Sequence, residues 1–140
     1  TSKGEVIIKL LPEIAPNHVA RISELVELGF YSNIIFHRVI PGFMAQTGDP
    51  LGNGTGGSGE KIDAEFSNYE YKYGTVGMAR TMDPNSADSQ FFICFDGCLH
   101  LTGQYTAWGQ VISGMEVVEN INAGEPPLKP DKIISARLDK

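Results

Sequence analysis

The chain has 140 residues, enough for one domain that buries a core without metals or disulfides to staple it. Apolar residues are 41% and charged residues 20%, a balance that excludes disordered and fibrous classes. The net charge is −6 with no basic cluster, and no apolar run nears the roughly 20 residues of a membrane span, so neither nucleic acid nor a membrane is an expected partner.

The opening TSKGEVIIKLLPE has no signal-peptide layout, and two cysteines are too few for a disulfide framework. A cytoplasmic setting is expected, with a secreted or periplasmic form after signal cleavage as the alternative. One domain over residues 1–140 is expected, because no linker, repeat or low-complexity stretch interrupts the chain.

Glu5 to Leu10 alternates Val6, Ile8 and Leu10 against Glu5, Ile7 and Lys9, which predicts a strand. Pro16 opens a helix at the position where its missing N–H costs nothing. Val19, Ile22, Leu25 and Val26 give that helix an apolar face, and Gly29 suits its end. His18, in its first turn, reads as a surface residue.

Short strands follow at Ile34–Val39, Met44–Thr47, Thr75–Ala79, Gln90–Phe95 and Ala107–Val111, with a last one near Ile133–Leu138. Ser113 and Glu116 read as a capping box for a second helix, with Val117, Val118 and Ile121 facing inward. Sixteen glycines and eight prolines punctuate these pieces. The expected fold is therefore all-β, a closed antiparallel barrel with two α-helices. The stretch Gly48–Tyr73 is the least regular, and long loops in compact domains are often functional.

Alternation sorts the informative side chains onto faces. Phe91, Ile93 and Phe95 form a core set, which turns Gln90 and Phe92 the other way. Met44 and Gln46 share a face, and so do Phe36 and Arg38, with His37 opposite as a hydrogen-bonded structural residue. Three strands would thus build an outer surface of arginine, glutamine, methionine and phenylalanine, apolar enough for a proline ring and with a fixed cation beside it.

Four separated motifs carry a resemblance. FHRVIPGFMAQTGD (Phe36–Asp49) is followed by Gly54-Thr55-Gly56-Gly57, then Gly77-Met78-Ala79, then SQFFI (Ser89–Ile93). In order and spacing this resembles the cyclophilins, peptidyl-prolyl cis–trans isomerases. The resemblance implies eight strands in the barrel, two capping helices and a peptide groove on the barrel's outside. It implies Arg38 as the catalytic arginine with Gln46 as its hydrogen-bonding neighbour. Phe43, Met44, Phe92 and Leu101 look like the proline pocket. Gly54, Ala79, Arg80, Thr81 and Gln90 resemble the groove floor and its backbone contacts, Arg80 through its main chain. His100 and Tyr105 stand where drug-binding cyclophilins carry tryptophan and histidine, a pattern more like bacterial members. Residues Arg80–Asp83 also run one residue longer. These departures imply weak affinity for cyclosporin-like ligands. The implied partners are proline-containing peptides and unfolded or folding proteins, met by a monomer without metal or cofactor.

The remaining features have plainer readings. Gly52–Gly57 formally satisfies G-x-G-x-x-G but opens no amphipathic helix, so a groove-lining loop is expected rather than a phosphate cradle. Cys94, Cys98 and His100 offer no fourth zinc ligand, and both cysteines are expected as free thiols. The chief rival to an isomerase is a proline-binding module or chaperone with little turnover. A small-ligand barrel is the second rival, disfavoured by an inner face that reads as packed core.

Overall fold

The computed structural model describes residues 1–139. In chain order the elements are β1 (Ile7–Leu10), α1 (Pro16–Glu27), β2 (Ile34–Ile35), β3 (Arg38–Ile40), β4 (Met44–Thr47), β5 (Thr75–Met78) and β6 (Phe91–Cys94). A 3₁₀ turn (Leu99–Leu101), β7 (Ala107–Ser113), α2 (Met115–Glu119) and β8 (Lys132–Ile133) complete them. Every strand pair is antiparallel.

Six strands form one sheet in the order β1-β7-β5-β6-β4-β3, and β2 pairs with β8 in a separate ribbon. The closed eight-stranded ring expected from the sequence is not seen among the described residues. The expected strand Ile34–Val39 breaks at Phe36-His37, so its first half joins β8 and its second half joins β4. A single bridge from Val39 to Gly124 is what ties β3 onward.

Period-two alternation builds two apolar clusters on opposite faces of the large sheet. Phe91, Ile93, Val76 and Trp108 pack inward with Ile22 and Leu25 of α1 and with Phe36. Phe92, Met44 and Cys94 face the other way and join Tyr71, Leu101 and Ala107 in a second cluster. Phe92 at 4% exposure is as buried as the core residues, so the outer face carries a packed floor of its own.

Helix α1 ends as its sequence predicts. Gly29 takes φ +73°, the Gly29 N–H donates to the Val26 carbonyl and the Phe30 N–H to the Leu25 carbonyl, a Schellman closure. Its N-terminus departs from expectation. His18 is fully buried, and Ala15 at the cap position has no side chain to offer. Glu65, from the irregular loop, supplies the cap: its carboxylate accepts the backbone N–H of Asn17 at 3.1 Å and of His18 at 2.7 Å, and meets His18 Nδ1 at 2.6 Å. Helix α2 also starts differently. Ser113 closes β7, and Gly114 at φ +99° makes the turn, its carbonyl accepting the Val117 and Val118 N–H groups; no side chain caps it. A Cβ at Gly114 would collide with the Glu5 carbonyl, which explains the glycine. Val118 and Ile121 face inward as expected, while Val117 is half-buried.

Cys94 and Cys98 form a disulfide, which corrects the expectation of free thiols. Phe95–Gly97 reverses the chain, and Gly97 sits so close to the Gly42 carbonyl that no side chain fits. The reversal returns Cys98 with its Cα 6.1 Å from that of Cys94, within bridging range. Closing so short a loop is worth about 2 kcal/mol on chain entropy. Intact mass of the native protein should therefore read two hydrogens below the reduced mass, and reduction should lower Tm by about 4–8 °C.

Burial pushes the His18 imidazole below its ordinary value, with the Glu65 bond offsetting only part. Burial alone would raise the Glu65 carboxyl, but the bonds from His18 and from the backbone of Asn17 and His18 hold it below its ordinary value. The Glu65 shift favours folding at neutral pH and loses that contribution on acidification, while the His18 shift costs nothing as long as the ring is neutral and destabilises the fold as the pH falls. The unfolded chain takes up the His18 proton below about pH 6.5 and the Glu65 proton below about pH 4.5. Glu65→Gln should cost about 1–2 kcal/mol at pH 7, roughly 3–8 °C in Tm. The gap from the parent should narrow toward pH 3–4 in melts followed by circular dichroism.

Candidate active site

The register of four strands assembles the site. Arg38 of β3 lies opposite Gln46 of β4, Gln46 opposite Phe92 of β6, and Phe92 opposite Gly77 of β5. These positions share one face, so the guanidinium, the amide and the ring stand in a row across the sheet. The turn Pro41-Gly42-Phe43, with Gly42 at φ +76°, closes the β3–β4 hairpin and carries Phe43 to one end of the row.

A cavity of about 160 Å³ opens on this face, lined by Arg38, Phe43, Met44, Gln46, Ala79, Arg80, Phe92, Leu101 and Tyr105. Its floor is apolar and rigid. Tyr71 stacks behind Phe92 with ring centroids 5.8 Å apart, and Tyr105 meets Phe92 edge-on at 6.0 Å. Burial pushes the Tyr71 phenol up, so it stays protonated, and it donates to the Tyr105 carbonyl at 3.0 Å.

A polar relay runs along the cavity's rim. Arg38 Nε donates to Glu125 Oε1 at 3.0 Å and Nη1 to Gln46 Oε1 at 3.4 Å. Gln46 Nε2 donates to Gln90 Oε1 at 3.0 Å, and Gln90 Nε2 to the Gly56 carbonyl at 3.0 Å. Arg38 Nη2 is left without a protein partner among the described residues. The side chain is 43% exposed, so its charge is held in place yet open to a ligand.

Of the residues expected at the site, Arg38, Gln46, Phe43, Met44, Phe92, Leu101, Ala79, Arg80 and Tyr105 line this one cavity. Gln90 stands behind it as the relay's third member. His100, exposed, stacks on the outer side of Phe43 at 5.8 Å. Thr81 lies beyond Arg80, exposed, with its N–H donating to Ser86 Oγ at 2.8 Å. Gly54 is not among the lining residues. Its N–H donates to Asp49 Oδ2 at 2.5 Å, in a loop where Leu51 and Asn53 bond the same carboxylate. Backbone donors that would hold a phosphate in a G-x-G-x-x-G loop are thus taken up by Asp49. They hold its carboxyl below the usual range although burial alone would raise it.

His37 is buried on the opposite side from Arg38, but neither ring nitrogen has a protein partner among the described residues, which corrects the hydrogen-bonded role expected of it. Burial lowers its pKa and keeps it neutral. Glu125, Tyr71 and Gly56 are site residues the sequence reading missed. Glu125 lies 87 positions from Arg38, and no local pattern announces so distant a contact.

Comparison with known proteins agrees with this geometry. The family model described as cyclophilin type peptidyl-prolyl cis-trans isomerase/CLD matches residues 1–138. A probable peptidyl-prolyl cis-trans isomerase of Brucella suis is 50% identical over 97% of this chain and 78% of its own length. A peptidyl-prolyl cis-trans isomerase of Synechococcus elongatus is 40% identical over 99% of this chain and 92% of its own. A crystal structure of a cyclophilin from Hirschia baltica superposes with a TM-score of 0.90 at 34% identity, covering 97% of this chain and 70% of that one. A Cryptosporidium parvum cyclophilin crystallised in the presence of the dipeptide Ala-Pro gives a TM-score of 0.90 at 31% identity, covering 99% and 94%. The chain belongs to the cyclophilin-type peptidyl-prolyl cis–trans isomerase family. Its activity is isomerisation of prolyl peptide bonds.

The floor's rigidity is testable away from the polar groups. A Cβ at Gly77 would collide with the Tyr71 hydroxyl, so Gly77→Ala must displace the ring that backs Phe92. We expect a stability loss of about 1–3 kcal/mol, typical of overpacking. A rise in KM for prolyl peptides, larger than any fall in kcat, should accompany it in steady-state assays.

Proposed function

We propose that Arg38 is the catalytic group and that the cavity over Met44 and Phe92 receives the substrate's proline ring. The observation that carries this reading is a guanidinium fixed by two partners beside an apolar pocket, with one nitrogen free. Rotation about a peptide bond costs about 18–20 kcal/mol because resonance is lost, and an X-Pro bond exchanges unaided in tens to hundreds of seconds.

In the twisted transition state the prolyl nitrogen becomes pyramidal and regains a basic lone pair. A guanidinium N–H aimed at that nitrogen donates to it only then, which is the differential stabilisation that catalysis requires. Arginine suits the role because it never loses its charge and its planar fork is locked by Gln46 and Glu125. Millisecond turnover needs a gain of about 10⁵, roughly 7 kcal/mol. A charge-assisted donor, a clamped proline and an apolar floor together supply an amount of that order. No proton leaves the arginine and no covalent intermediate forms.

Gln46 is a positioning residue in this reading, held in turn by Gln90. Substrates are proline-containing peptides and segments of unfolded or folding proteins. His100 offers a smaller stacking face over Phe43 than an indole would, which supports weak engagement of cyclosporin-like ligands. The Cys94–Cys98 disulfide favours an oxidising compartment, periplasmic or secreted, over the cytoplasm.

Arg38→Ala should lower kcat/KM on an Ala-Pro-containing tetrapeptide by about 10²–10³, the scale of losing one transition-state donor, with the fold retained. Arg38→Lys should restore little of it, because an ammonium cannot bond Gln46 and Glu125 while facing the pocket. NMR exchange spectroscopy measures both without a coupling protease. Parent-like turnover by Arg38→Ala would remove Arg38 from the mechanism.

A further inference from the structure

We infer that Arg80 makes a subsite for a carboxylate flanking the substrate's proline, so that it is a specificity-determining residue through its side chain and not only through its backbone. The inference rests on the reading that the cavity over Phe92 holds the proline ring.

The chain leaves β5 at Met78, and the Ala79 N–H donates to the Gln90 carbonyl, so Arg80 emerges beside the pocket. Strand order β3-β4-β6-β5 sets this flank opposite the one occupied by Arg38. A peptide whose proline sits over Phe92 thus has one arginine on each side.

The two arginines are in different electrostatic states. Arg38 is paired with the Glu125 carboxylate at 3.0 Å. Arg80 bonds only neutral oxygens: Nε and Nη2 donate to the Gln104 carbonyl at 3.2 and 2.7 Å, and Nη1 to the Thr81 carbonyl at 2.9 Å. Among the described residues no acidic side chain pairs with it. No acidic residue lines the cavity either. On a chain of net charge −6, the pocket rim therefore carries an uncompensated cation.

Its geometry is that of a prepared receptor. The guanidinium carbon lies over the Tyr105 ring, 4.3 Å from its centroid, and three hydrogen bonds to backbone carbonyls hold the group there. Three of its five N–H groups are engaged, and two remain for a ligand. An arginine already immobilised loses little side-chain entropy on binding, and two donors in one plane match a carboxylate. A flanking lysine or arginine would meet like charge at the same place.

A structural role for Arg80, pinning the turn to Gln104, would affect all substrates alike, so the decisive quantity is a ratio between substrates. NMR exchange on blocked tetrapeptides with Glu, Ala or Lys immediately before or after the proline supplies it. For at least one of the two positions, the parent should show KM for Glu about 3–10-fold below that for Ala, and KM for Lys above it, the scale of an exposed charge-assisted contact. Raising salt from about 0.05 to 0.5 M should shrink the spread, since the screening length falls severalfold. In Arg80→Gln the Glu:Ala:Lys ratios should collapse toward unity whatever happens to the Ala peptide itself, and Arg80→Lys should restore part of the spread. Equal KM values for the three peptides in the parent, or an order that survives Arg80→Gln, would overturn the inference while leaving the isomerase reading intact. Failure to accelerate any prolyl peptide, the Ala peptide included, would overturn both.

Discussion

Gln46 lies opposite Phe92 because β4 and β6 pair with Met44 across from Cys94 and Thr47 across from Phe91. A slip of β4 by one residue would turn Met44 and Gln46 into the core and bring Ala45 to the outer face, leaving Phe92 without its neighbours. The register is held by the core itself: Ala45 and Ile93, directly paired, are both essentially buried and pack in the inner cluster with Val76. Burial on the inside thus fixes what is presented on the outside. Each core contact of Ile93 also aims its neighbour Phe92, so the groove inherits the precision of the core.

Much of this was legible in the sequence, since a strand's two-residue period needs no long-range information. Assigning Phe91, Ile93 and Phe95 inward and Gln90 and Phe92 outward follows from alternation alone, and the clusters have that composition. The Schellman closure at Gly29 was likewise local. What sequence did not convey depends on contacts across the chain. His18 reads as a surface residue until Glu65, 47 positions away, is seen capping the helix that carries it. The disulfide follows from a chain reversal whose tightness is set by Gly97 against the Gly42 carbonyl, a contact between separate turns. Ring closure of the barrel was inferred from short strands punctuated by turns, but hydrogen-bond connectivity depends on where a strand breaks. Phe36-His37 reads like any other apolar–polar pair.

The outer face is held from behind as firmly as the inner one. Tyr71, Cys94, Cys98 and Ala107 are almost inaccessible, and they stand beneath Phe92, Met44 and Leu101. The disulfide joins the end of β6 to the 3₁₀ turn that carries Leu101, linking floor and wall covalently. On the other side the irregular loop is anchored by two acids. Asp49 collects the N–H groups of Leu51, Asn53 and Gly54, and Asp88 those of Ser58 and Gly59. Gly56 lies between these anchors, so the carbonyl that ends the relay belongs to an ordered piece of chain.

The direction of that relay has a physical reason. Arg38 can only donate, so the Gln46 oxygen must face it and the Gln46 NH₂ must face away. Gln90 must then offer its own oxygen to Gln46, which leaves its NH₂ needing an acceptor, and a backbone carbonyl is one. Each amide is therefore set by the one before it, and the whole row is oriented by the arginine's charge. Glu125 acts on the other side of the same group, balancing the cation without occupying Nη2. In the role proposed for Arg38, a donor that acts only when the prolyl nitrogen becomes basic must not rotate toward the ground-state carbonyl instead. Two fixed partners on Nε and Nη1 restrict that rotation, and with the rigid floor they convert a surface arginine into one with a single direction to point.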